Sequence, residues 1–196
     1  MDTISTQWIV IASVVVATLI ALAVWHYYQQ KQSRRLRGRF GPEYAKAVGD
    51  LGSQRKAESE LKARERRVEH LDIAPLVPAE AARFREVWSS LQGRFVDNPQ
   101  GVVVQAEQVV RELMLKRGYP MADFEHRAAD ISVDHPGVVR NYRAAQAIAE
   151  RGSSGEASTE ELRSAVVHYR ALFDELLEVG EPKEPVAAVK PIAVAS

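Results

Sequence analysis

The chain has 196 residues, 46% of them hydrophobic, with 26 basic residues matched by 26 acidic ones and no cysteine. That length holds one small folded domain with appendages. Without Cys, disulfides and thiolate zinc sites are excluded in any compartment.

Residues 9–24 form an uncharged run in which ten of sixteen residues are Ile, Val or Leu, framed by Trp8 before it and Trp25, Tyr27 and Tyr28 after it. As a helix, 8–28 spans about 31 Å, close to a hydrocarbon core about 30 Å thick. The aliphatic residues favour a bilayer by on the order of 3–6 kcal/mol. The pattern predicts a transmembrane helix with Trp8, Trp25, Tyr27 and Tyr28 as interface anchors. A cleaved signal peptide fits less well: residues 1–7 carry no Lys or Arg, and the run exceeds the usual core of about 7–15 residues. The small residues at 21 and 23 do imitate a cleavage site.

Lys31, Arg34, Arg35, Arg37 and Arg39 follow the run, and no basic residue precedes it. Basic flanks stay inside. The expected placement is therefore single-pass in the inner (plasma) membrane, with the N-terminus outside and the rest cytoplasmic. Residues 31–71 carry twelve basic against six acidic side chains, whereas 72–196 carry fourteen against nineteen. The five basic residues set topology or also contact anionic lipid headgroups, with Leu36 and Phe40 dipping into the interface. Nucleic acid is not an expected partner, since its binding surfaces distribute basic residues over a folded face.

The remainder reads as helices. Gly41-Pro42 ends a basic linker over 29–42, and a charged helix is expected over 43–74, weakened by Gly49 and Gly52. So polar a helix either projects as a stalk, pairs with a partner in coiled-coil fashion, or folds back as a solvated helix. After Pro75 and Pro78, apolar residues recur at helical spacing: Phe84, Val87, Trp88 and Leu91; Val102, Ala106, Val109, Val110, Leu113 and Met114; Phe124, Ala128 and Ile131; Val138, Tyr142 and Ala145. Ser158 and Glu161 form a capping-box pattern ahead of Leu162, Val166, Tyr169, Phe173 and Leu176. Residues 75–180 thus form a small helical bundle. Residues 181–196, with three Pro in an Ala/Val-rich run, read as a disordered tail. The predicted class is all-α: a short extracytoplasmic N-terminus (1–7), a transmembrane helix (8–28), a linker, a charged helix and a bundle.

Chemistry is sparse. The chain contains no G-x-x-x-x-G-K-[ST], G-x-G-x-x-G, H-E-x-x-H or G-x-S-x-G motif, so no catalytic, cofactor-binding or metal-ligating set is assigned and no enzyme is expected. The five His lie at 26, 70, 126, 135 and 168, mostly on different expected elements. Asp123, Glu125, Asp130 and Asp134 crowd acid into twelve residues, answered by Arg127, Arg140 and Arg143. That pattern suits an internal ion-pair network or an acidic docking surface.

Five strings carry a resemblance: Arg39-Phe-Gly-Pro-Glu-Tyr44, Arg94-Phe-Val-Asp97, Arg117-Gly-Tyr-Pro120, residues 124–136 (FEHRAADISVDHP) and residues 158–177 (STEELRSAVVHYRALFDELL). Together they resemble a family of uncharacterised bacterial proteins with one N-terminal membrane helix and a helical cytoplasmic domain. The resemblance implies an inner-membrane location and carries over no catalytic residues. The expected function is a membrane-anchored interaction or scaffold module with an unidentified protein partner. A self-associating structural protein, or an enzyme with an unfamiliar site, are the alternatives.

Overall fold

The computed structural model describes residues 2–178; within the first helix, the side chains described are Trp8 and those from Val14 onward. The tail expected over 181–196 lies outside the described residues. Among the described residues the chain is all-helical, with no strand: α1 (Asp2–Phe40), α2 (Pro42–Leu51), α3 (Gln54–Glu69), α4 (Pro78–Gly93), α5 (Pro99–Lys116), α6 (Phe124–Asp134), α7 (Pro136–Ser153) and α8 (Thr159–Leu176). The chain divides into two compact units, Met1–Glu65 and Arg66–Ser196.

In the first unit α1 runs unbroken to Phe40, so the basic stretch expected as a linker is helical. Gly41 then turns the chain at φ +49°, and Pro42 starts α2. The charged stretch expected as one helix is two. Gly52 adopts φ +62°, its N–H capping the Val48 carbonyl, a left-handed end that Gly enters without a Cβ penalty. Buried side chains here are Leu36, Phe40, Tyr44, Ala47, Ala57 and Leu61, with Glu43 and Glu65 among them.

The single-pass membrane placement is corrected. Among the described residues no helix is long and apolar enough to cross a membrane. Part of the expected span, 9–13, lies outside the described side chains. Leu36 and Phe40 are corrected too. Neither dips into an interface; both are fully buried in the fold.

The second unit packs α8 against α5 and α7, with α6 on α7 and α4 on α5. Helix starts follow local chemistry. Asn98 accepts from the Gly101 N–H at 2.9 Å and Asp123 from the His126 N–H at 3.0 Å. Ser158 and Glu161 form a reciprocal capping box. The interior runs from Leu76 through Trp88, Leu113, Tyr142 and Tyr169 to Leu177. Trp88 stacks on Phe173 with centroids 4.5 Å apart.

Candidate interaction surface

From residue 14 to residue 28, α1 presents apolar side chains around its circumference. Val14, Val15, Val16, Leu19, Ile20, Leu22, Val24, Trp25, Tyr27 and Tyr28 are all exposed, as is Trp8. Even Thr18 contributes little polarity, because its hydroxyl donates back to the Val14 carbonyl at 2.8 Å. The four aromatic side chains are 53–67% exposed. Of these, Trp25, Tyr27 and Tyr28 lie within 14–28; at roughly 150–250 Å² per ring system they alone leave about 270–450 Å² uncovered. That already reaches the range of roughly 300–600 Å² for the largest patch on a typical monomer, before the aliphatic residues are added.

The basic band that follows is largely engaged. Arg35 meets Glu65 at 2.6 Å and Arg39 meets it at 3.3 Å. Glu65 is buried, so these are the charges that keep its carboxylate paired. The Arg37 guanidinium lies 5.1 Å over the Tyr44 ring, while the Tyr44 hydroxyl donates to Glu58 at 2.8 Å. Burial acts to raise the Glu58 pKa, but hydrogen bonds from Ser33, Gln54 and Tyr44, with Lys62 nearby, outweigh it and hold the carboxyl below its ordinary value. Lys31 and Arg34 are exposed and make no ion pair among the described residues.

Arg34 and Arg37 line a cleft of about 350 Å³ together with His26, Gln29, Gln30 and Ser33 of α1 and Gln54 of α3. Positions 26, 29/30, 33/34 and 37 recur every three or four residues, which places them on one helix face. That spacing was readable in the sequence. The closing residue, Gln54, was not, because it arrives only through the Gly52 turn.

In the second unit the acidic run is an internal network more than a free surface. Asp130 is 1% exposed and accepts from Arg67 Nε at 2.8 Å. Glu125 pairs with Arg143 at 2.6 Å. Asp123 caps α6; hydrogen bonds first from the His126 backbone and then from its ring hold this carboxyl below its usual range. Buried Arg127 donates to the Tyr142 hydroxyl at 3.1 Å and to the Ala122 carbonyl, with Glu107 3.9 Å away. His135 meets Glu175 at 3.1 Å, and His70 contacts the Arg66 carbonyl. Among the described residues no three His, Asp or Glu converge in a way that holds a metal ion.

Arg117 ties three segments together. Its Nε donates to Ala74 O at 3.3 Å, Nη1 to Leu176 O at 3.2 Å and Nη2 to Glu178 Oε2 at 3.3 Å. Its own carbonyl accepts from Ala74 N, and Leu76 N donates to Glu178 O. Gly118 follows at φ +98°, where a Cβ would collide with the Asp72 carbonyl. A second, smaller cleft of about 260 Å³ lies beside the Trp88–Phe173 stack. Arg170 covers both rings at 5.9 Å and pairs with Asp174 at 2.7 Å.

No family model, curated protein or solved structure matches the chain.

Proposed function

We propose that the protein is a helical interaction module whose assembling element is the 14–28 segment of α1, covered in use by the same segment of further copies. The observation that carries this reading is the exposed apolar circumference of that segment. A helix apolar on all sides belongs in an interior. An amphipathic helix needs one groove, but this stretch needs neighbours on several faces, which a cluster of like helices supplies. No catalytic role is part of this reading, and the likeness to bacterial helical proteins of uncharacterised function enters it only as a supporting expectation.

The absence of cysteine allows a clean test. A Leu19→Cys substitution gives the full chain a single thiol on the proposed contact. Mild oxidation should give a disulfide-linked dimer at a protein concentration where a Lys46→Cys chain, altered at an exposed position of α2, remains uncrosslinked. Equal crosslinking of both variants, or of neither, overturns the proposal.

A further inference from the structure

The polar cleft on α1 has a composition that selects its ligand. Among the described residues every side chain lining it is polar; two carry guanidinium groups, one an imidazole, and none a carboxylate. Beside it Glu58 accepts from Tyr44 at 2.8 Å and from Gln54 at 2.9 Å, is hydrogen-bonded by Ser33, and its charge also acts on Arg37. Of the five basic residues in the band, Arg35 and Arg39 are committed to Glu65. Arg37 is held against the Tyr44 ring, which fixes one guanidinium at the cleft before any ligand arrives. Arg34 stands one turn earlier with no ion pair of its own among the described residues. A planar guanidinium fork matches the oxygens of phosphate, and a second one alongside adds charge that a lone surface Arg lacks. The lining is mostly polar and positively charged, so a compact and highly charged anion fits best.

We propose that this cleft binds a phosphate-bearing anion, clasped by Arg34 and Arg37, with Gln29 and Gln30 supplying amide donors. The site goes beyond the assembly reading and does not depend on what covers the apolar segment. Its phosphate comes either from a free phosphate compound or from the headgroup of a phospholipid, and the experiment separates the two.

The full chain is held in nonionic detergent, which covers the apolar segment and dissociates assemblies, so failure of the assembly proposal leaves this test intact. Pyrophosphate is titrated calorimetrically at fixed ionic strength. Saturable binding is expected, weakened roughly tenfold or more by Arg34→Gln. It should be partly kept by Arg34→Lys and changed less than about twofold by Lys46→Gln, which removes one positive charge elsewhere in the same unit. Circular dichroism checks that each variant stays helical. In a second arm, phosphatidylcholine vesicles with and without phosphatidic acid are compared for retention of the chain. Arg34-dependent binding of pyrophosphate supports a free phosphate compound. Binding only to phosphatidic acid vesicles, again dependent on Arg34, supports a headgroup. If neither arm depends on Arg34, or if Lys46→Gln weakens binding as much as Arg34→Gln, the proposal is overturned.

Discussion

Replacing Arg117 by Met tests how the second unit is closed. Met keeps the apolar stem that the buried side chain packs with, and removes only the guanidinium. Three hydrogen bonds go with it, to Ala74 O, Leu176 O and Glu178 Oε2. Glu178 is 64% exposed at its side chain and rehydrates, so its loss costs little. The Leu176 carbonyl is the expensive one. It ends α8, and its bond to Arg117 is buried, so it is left without a partner at about 1–3 kcal/mol. The Ala74 carbonyl adds roughly 1 kcal/mol. The expected loss is therefore about 3 kcal/mol, a large share of the roughly 5–15 kcal/mol that holds a domain together. The assay is urea unfolding followed by the fluorescence of buried Trp88, with Trp8 and Trp25 replaced by Phe so that a single indole reports. Amide exchange adds a local readout: the Ala74 and Leu76 N–H groups, bonded to Arg117 O and Glu178 O, should lose protection before the core of α5. A midpoint change worth less than about 1 kcal/mol, with both amides still protected, refutes the clamp.

Three further predictions concern burial and titration. Phe40→Ala should destabilise the fold by about 3–5 kcal/mol in thermal unfolding, since Phe40 is fully buried; a change below about 1 kcal/mol would return it to the surface role expected from its basic neighbours. Among the described residues the buried Tyr119 hydroxyl has no hydrogen-bond partner, and burial, with Asp134 adding to it, pushes its pKa to about 12. Because the folded value lies above the unfolded one of about 10, the stability this neutral phenol contributes is present below pH 10 and lost as pH rises from there towards 12. Tyr119→Phe should therefore leave stability at neutral pH unchanged or raised by up to about 1 kcal/mol, and flatten the alkaline decline seen in urea midpoints; a loss above about 1 kcal/mol would show that the hydroxyl has a partner after all. Ser158→Ala removes the cap hydroxyl of α8 and should cost about 1 kcal/mol in the same assay. The Glu161 carboxyl is held below its usual range by the Ser158 backbone N–H, then by its hydroxyl and Arg151. Its contribution is present above the unfolded carboxyl pKa and disappears as pH falls through the lower folded value, so an acid titration of α8 unfolding that is flat across this window would contradict the capping box.

The helices of the second unit were legible because their starts and stops are local. Asn98-Pro99, Asp123 and Ser158–Glu161 cap their own helices, and an apolar stripe repeats at 3.6 residues behind each. The run 8–28 was legible as apolar and helical but misread as a crossing segment, because hydropathy reports what a surface avoids and not what covers it. Leu36 and Phe40 were misassigned for a related reason: basic neighbours at 34, 35, 37 and 39 suggested an interface, while the turn at Gly41 brings α2 back beside α1. The split at Gly52 was foreshadowed by the glycine itself. The strings that carried the family resemblance hold structural jobs in this fold. Arg117 clamps, Gly118 clears the Asp72 carbonyl, and Asp130 and Arg127 sit in buried pairs. The polar cleft was only half legible, since its α1 face follows helical spacing but Gln54 reaches it from another helix.

The central claim is that α1 assembles copies of the chain. Sedimentation equilibrium of the full chain without detergent, across a dilution series, measures this directly. The account predicts a mass well above one chain of 21.8 kDa that falls towards it on dilution, and a shift to the single-chain mass for a variant with Leu19, Leu22 and Trp25 all changed to Lys. A single-chain mass for the unaltered protein at every concentration, or a multiple that the triple variant retains, would contradict it.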